Sequence, residues 1–212
     1  MGVKERKERD KLEMREKILH SAHQLFLDRG FEEISIRNIA EAIEYSPATI
    51  YLYFKDKNEI IHALHQDGFR LLNEHFKHLV QYTDPFQRLL QMGKAYIQFA
   101  TSNPQTYDLL FMKSEPMEHV ANCLHEEWKE GDNAFDSLLQ TIVQCQQQGY
   151  FKGFDPHSMS MMIWSSIHGL CSLHISCHLG HVREVRNKQV SQDEVMMKTF
   201  ETFNKMLEKL KH

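Results

Sequence analysis

The sequence predicts an all-α chain, with a small three-helix head joined by a long helix to a larger helical body. Only five prolines and nine glycines punctuate its 212 residues, and nowhere do β-branched and polar residues alternate over the length of a strand. A capping residue followed by proline recurs at Ser46-Pro47, Asp84-Pro85, Asn103-Pro104 and Asp155-Pro156. Proline suits a first helical turn, where its missing N–H would have been unpaired anyway.

The first helix is expected to begin among the charged residues near Arg9, bury Ile18, Ala22, Leu25 and Phe26, and end at Gly30 as an αL cap. Its early portion, with Lys4, Arg6, Lys7, Arg9 and Lys11, reads as a mobile arm. Ser35 caps a second helix carrying Ile36, Ile39, Ala40 and Ile43. Ser46 and Pro47 open a third about three residues later, and Asp56 opens a fourth that persists to about Tyr82. In the body, Asp84, Asn103 and Asp155 are expected as N-caps. A helix within Glu118 to Gln148 carries Val120, Leu124, Phe135, Leu138, Leu139, Ile142 and Val143 and breaks or kinks at Gly131. One helix runs from Asp155 to Gly180, and Ser191 opens the last. The domains are therefore 1–60 and 61–212.

Composition narrows the function classes. A hydrophobic fraction of 42% with 25% charged residues suits a folded globular chain. The N-terminus lacks the apolar run of a signal peptide, and Met159 to Leu179 is interrupted by serines and histidines too often to span a membrane. The expected location is the cytoplasm, where the thiols of Cys123, Cys145, Cys171 and Cys177, with no CxxC pair, read as reduced, buried fillers. The formal charge is −4, and Met1 to Lys57 holds 11 lysines and arginines against 11 acids. Bulk charge thus does not announce a nucleic-acid binder.

The motif does. Two short helices about three residues apart, the second opening with small polar residues, are what a helix-turn-helix needs to place side chains in a major groove roughly 12 Å wide. On Ser46 to Phe54, Ile50 and Phe54 share an inward face, leaving Ala48, Thr49, Leu52 and Tyr53 outward and Tyr51 at the flank. Hydroxyls and backbone N–H groups at helix starts bind phosphate, and small or apolar groups meet thymine methyls. Lys55 and Lys57 add positive charge.

Residues 18–61, and above all SPATIYLYFKDK, resemble the DNA-binding head of the TetR family of repressors. The family has glycine-valine before the serine that opens the recognition helix, where this chain has Glu44 and Tyr45. The resemblance implies an operator contact made by Ser35, Arg37, Ser46, Pro47, Ala48, Thr49, Tyr51, Tyr53, Lys55 and Lys57. Downstream, Trp164, His168 and Gly169 in IWSSIHGL are similar to the tryptophan, histidine and glycine of one regulatory-domain subgroup of that family. That similarity implies a ligand-binding, dimerising body and a repressor released from an inverted-repeat operator by a small-molecule inducer. Tyr96, Phe99, Tyr107, Phe111, Met161, Trp164 and His168, with Met112 and Met162, suggest a mainly apolar ligand pocket or simply a core.

In the last helix Met196, Phe200, Phe203, Leu207 and Leu210 form a heptad seam. Its partner is either the Asp155–Gly180 helix across a homodimer two-fold, with Leu170 and His174 at the contact, or a neighbour in the same subunit.

Enzyme chemistry finds no foothold. There is no GxSxG, GxGxxG or Walker-type loop, and His125-Glu126 lacks the second histidine of a zincin. No cofactor is expected. The alternative to a ligand-released repressor is a metal-responsive regulator, because Cys171, His174, His178 and His181 would share one face of one helix. Such a face spans some 15 Å at 1.5 Å per residue, so one ion could not take all four without a second chain segment. The pairs His20/His23, His62/His65 and His75/His78 read as solvated or partly buried faces, and a helical adaptor is a third class.

Overall fold

The computed structural model describes residues 2–30, 32–113, 128–186 and 190–211. Among these the chain forms ten α-helices: α1 (Val3–Arg29), α2 (Ile36–Ala42), α3 (Pro47–Tyr51), α4 (Lys57–Lys77), α5 (Pro85–Ser102), α6 (Pro104–Phe111), α7 (Lys129–Gln147), α8 (Pro156–Ile175), α9 (His178–Arg186) and α10 (Gln192–Glu208). A 3-10 turn, His78–Gln81, follows α4, and an isolated bridge pairs Tyr150 with Lys211. No helix among the described residues is long and apolar enough to cross a membrane. Val120, Leu124 and Cys123 lie outside the described residues.

Two compact units result, Met1–Gly68 with Asp108–Trp128, and Phe69–Tyr107 with Lys129–His212. The first reaches past residue 60 and takes in a later segment. Its core is a single cluster in which Ile18, Ala22, Ile39, Ala40, Ile50 and Ile60 are fully buried. α1 is helical from Val3, several residues ahead of the start expected near Arg9, so Lys4 to Lys11 lie within it. Gly30 ends it with φ 77 and ψ 166, a glycine-permitted conformation outside αL.

In the second unit α5 packs on α7 and α8, and α10 on α8 and α9. Ile97, Phe99 and Ala100 of α5 are buried, and Phe200 of α10 lies against Gly93. Asp84 accepts the N–H groups of Phe86 and Gln87, Asp155 that of Ser158, and Ser191 that of Glu194, each opening a helix.

Three expectations change. Asn103 directly precedes α6 and its carbonyl accepts Tyr107 N–H at 2.9 Å, but its carboxamide turns back to donate to Phe99 O at 3.1 Å instead of capping α6. Gly131 sits in the first turn of α7, which starts at Lys129, and the helix continues through it. The expected Asp155–Gly180 helix divides: the Ser176 hydroxyl donates to Ser172 O at 2.7 Å, Cys177 takes φ 61, and α9 starts afresh at His178.

Candidate functional site

The turn between α2 and α3 decides how α3 is presented. Tyr45 N–H bonds Ala40 O at 2.9 Å and Glu44 N–H bonds Glu41 O at 3.1 Å, a Schellman closure whose αL residue is normally glycine. Glu44 occupies it at φ 62. The departure from the family pattern is therefore absorbed by a strained glutamate, and the turn itself is kept.

Ser46 Oγ then accepts Thr49 N–H at 3.3 Å and lies 3.1 Å from Thr49 Oγ1. Ile50 and Phe54 are buried as the spacing demanded, and Asp56 accepts Glu59 N–H at the start of α4. Outward stand Pro47, Ala48, Tyr51 and Leu52, the last two 57% and 76% exposed. Tyr53 does not join them. It is half-buried against the core, because the chain leaves α3 at Tyr51 and the helical face drawn from spacing no longer holds beyond that point. Thr49 and Lys57 are half-buried, and Lys55 is exposed. Ser35 caps α2, its Oγ accepting Asn38 N–H at 3.3 Å, and Arg37 is exposed beside it.

α1 flanks the same surface. The Arg15 guanidinium lies 5.1 Å above the Phe54 ring and the Lys17 ammonium 5.0 Å above Tyr45, so the residues on both sides of α3 are covered by α1 cations. The sequence pattern assigns neither residue a role.

The body holds a polar cluster inside an aromatic shell. Trp164 Nε1–H donates to Tyr96 Oη at 3.2 Å, Tyr96 Oη lies 3.1 Å from His168 Nδ1, and Tyr107 Oη lies 2.7 Å from the same nitrogen. Tyr107 also donates to His168 O at 3.0 Å and stacks on the imidazole, with ring centroids 5.3 Å apart. Burial holds both phenols above their usual range and keeps His168 below its own, so the trio is neutral. Of the residues expected to line a pocket, Tyr96, Tyr107, Trp164 and His168 thus converge. Phe99 is core, Phe111 belongs to the first compact unit, and Met161 is exposed at 41%.

A cavity of about 580 Å³ opens elsewhere in this unit, between the last turns of α4, the 3-10 turn, α5 and α7. Phe76, Leu79 and Met92 give it apolar wall, while Arg88, Thr141 and Gln144 give it polar wall. Arg88 donates to Thr141 Oγ1 at 3.4 Å, to Tyr82 O at 3.2 Å and to Gln144 Oε1. Sequence reading missed these three residues. Thr141 and Gln144 are 53 and 56 positions from Arg88, and a one-dimensional pattern does not separate such a group from a surface arginine.

The metal-binding alternative loses its premise at the Ser176–Cys177 break, which puts Cys171 and His174 on α8 and His178 and His181 on α9. Among the described residues no three His, Cys, Asp or Glu side chains come together to hold an ion. Cys171 and Cys145 are buried, their thiols pushed up to about 12 by desolvation, whereas Cys177 is exposed. Of the seam, Met196, Phe200 and Leu207 are buried within the chain, and Phe203, Leu210 and Leu170 are half-buried. His174 Nε2 lies 3.4 Å from Asp193 Oδ1, tying α8 to α10.

Comparison with known proteins bears on both units. Residues 18–64 match the model of bacterial regulatory proteins of the tetR family, and residues 89–192 that of the tetracyclin repressor-like C-terminal domain. An HTH-type transcriptional regulator of Staphylococcus aureus is 26% identical over 148 residues, covering 63% of this chain and 80% of that protein. In fold, the chain is similar to a tetR-family regulatory protein from Rhodococcus (TM-score 0.67, 16% identity, 91% and 96% of the two chains). It is also similar to the fatty acid degradation regulator FadR from Bacillus halodurans (TM-score 0.64, 14% identity, 88% and 92%). With the capped, outward-facing α3 on a packed head and both halves matched, the chain belongs to the TetR family of helix-turn-helix, DNA-binding transcriptional regulators.

Proposed function

We propose that this regulator is a homodimeric repressor of the bacterial cytoplasm, released from an inverted-repeat operator by a small, mainly apolar ligand. The observation that carries the operator contact is the exposure of Tyr51 and Leu52 at the end of α3. Large side chains beside a core with room for Ile50 and Phe54 have no intramolecular reason to stand outside, and an aromatic and an apolar group suit sugar, phosphate and thymine-methyl contacts. Ser35, Arg37, Ser46, Thr49, Lys55 and Lys57 complete the surface. Half-sites about one helical turn apart, roughly 34–36 Å or a multiple of it, follow from a two-fold reader.

The exposed Met162 and Leu173, eleven positions apart and so on one face of α8, support a dimer face. The buried members of the heptad seam serve the subunit's own core, so the partner meets the exposed apolar face of α8 instead. For the ligand, the cavity beside α4, with Arg70, Glu74, Lys77 and Glu130 beside Arg88 and an apolar wall of Phe76, Leu79, Val80 and Met92, favours a compound that carries polar groups as well as an apolar part. Its volume lies within the roughly 300–1,000 Å³ of ligand sites. The convergence of Tyr96, Tyr107 and His168 favours a second seat, where a ligand's polar group would exchange for the Tyr107–His168 hydrogen bond.

Tyr51→Ala and Lys57→Ala test the operator reading. Each is expected to weaken binding to the DNA recovered by selecting genomic fragments with the purified protein, while sedimentation still shows the dimer. Wild-type affinity in both variants overturns it.

A further inference from the structure

The first three turns of α1 reach beyond the head's core, every residue from Lys4 to Glu13 being exposed. An overhanging helix without a buried face has little reason to sort its charges, yet this one does. At about 100° per residue, Lys4, Lys7, Lys11 and Arg15 fall within an arc of about 80°, the arc that further along holds the buried Ile18 and Ala22. Glu5, Asp10 and Glu13 lie off this ridge and Glu8 borders it. Among the described residues Arg9, off the ridge, pairs with Asp10 and Glu13, whereas Lys4, Lys7 and Lys11 have no ion-pair partner.

The ridge is aimed. Its last member, Arg15, covers Phe54, and the next cation, Lys17, covers Tyr45, the residues on either side of the segment that meets the operator. From Lys4 to Lys11 the rise is roughly 10 Å at 1.5 Å per residue. Duplex DNA offers one phosphate per about 3.4 Å of axis on each strand, so the ridge spans about three. A protein whose head carries equal numbers of basic and acidic residues gains its positive surface by segregation along this helix.

We propose that the overhang of α1 is a second operator contact, with Lys4, Lys7 and Lys11 lying along the phosphate backbone flanking the base pairs met by α3. This rests on the operator-binding reading of the head. It adds affinity and footprint without sequence preference, because phosphates carry no base code.

The test uses the full chain and duplexes recovered by genomic selection, one set trimmed to the inverted repeat and one with flanks. For wild type, trimming the flanks is expected to weaken binding and shorten the protected region. For Lys4→Gln/Lys7→Gln/Lys11→Gln, the two duplexes are expected to bind alike, with the slope of log affinity against log salt reduced by about 0.9 per lost contact. Arg6→Gln, the same charge change off the ridge, is expected to leave slope and footprint unchanged. The proposal is overturned if the triple variant keeps the wild-type slope and flank dependence. It is equally overturned if Arg6→Gln lowers the slope as much as Lys7→Gln, since the effect is then bulk charge. A wild-type chain that binds none of these duplexes above scrambled DNA would instead refute the operator reading of the head, an outcome the Tyr51→Ala comparison identifies separately.

Discussion

Glu44 shows how much a single residue can hold in tension. Its φ of 62 places a Cβ-bearing residue in the left-handed region, which costs roughly 1–2 kcal/mol relative to a right-handed one and nothing comparable for glycine. Glu44→Gly is therefore expected to raise stability by about 1 kcal/mol, the gain being trimmed by glycine's larger unfolded-state entropy. Denaturant titration reads the change, and a midpoint at or below wild type would mean the turn is not strained. His65 works in the opposite sense. It is fully buried on α4 and stacks on Trp128 at 6.3 Å, and desolvation brings its pKa from 6.5 to about 4. Because the folded value is the lower one, the unfolded chain takes up the proton first. Stability is intact above about pH 6.5 and declines as pH falls toward 4, by about 3 kcal/mol at most for a shift of this size. His23 and His168, also lowered by burial, act in the same direction. His65→Phe should flatten the wild-type decline between pH 6.5 and 4. An unchanged pH profile would show that the imidazole is not desolvated.

At the scale of elements, the close approach of α5 and α10 rests on the absence of one carbon. A Cβ built on Gly93 would sit 2.7 Å from the Phe200 ring and 3.1 Å from Ile167 Cδ1, and Phe200 is 1% exposed with nowhere to retreat. Overpacking costs about 1–3 kcal/mol, against a gain of about 1 kcal/mol from alanine's helix propensity. Gly93→Ala should therefore destabilise by up to about 2 kcal/mol and become neutral or favourable in a Phe200→Leu background. Additive effects of the two changes in thermal unfolding would argue against the contact. The same scale shows what a sequence does and does not reveal. Ser35, Ser46, Asp84, Asp155 and Ser191 cap helices as their position dictates, because capping is settled within three or four residues. Asn103, equally apt, bonds backward instead, since the end of α5 competes for the same side chain. The Ser176–Cys177 break was invisible for a related reason: serine and cysteine are tolerated inside helices, and only the restart at His178 reveals the left-handed residue between. Tyr53 was misplaced because a helical wheel was extended past the end of a five-residue helix.

At the scale of the whole molecule, α4 is a single helix whose residues belong to both compact units. It contributes Ile60 and Ile61 to the head's core, and Phe76 and Lys77 from its last turn line the cavity. On the proposed reading, a compound seated against that turn would act on the operator surface through α4, since a helix carries a displacement that a loop would absorb. The head's part in this was legible in the sequence, because its motif is local. The cavity was not, because Arg88, Thr141 and Gln144 meet only through the packing of α5 on α7. If the ligand acts by favouring an arrangement that α3 cannot use, its affinity must differ between the operator-bound and operator-free protein, and by the same factor with which it weakens operator binding. A coupling of roughly 1–3 kcal/mol corresponds to about 5–150-fold. Calorimetry with a compound that derepresses the target promoter, titrated with and without saturating operator, is expected to show that ratio. Thr141→Val, which keeps the side-chain shape but removes the hydroxyl, should weaken the compound in both states and leave operator affinity alone. Equal ligand affinities with and without operator would exclude α4-borne coupling, since no ligand shifts an equilibrium between states it binds equally well.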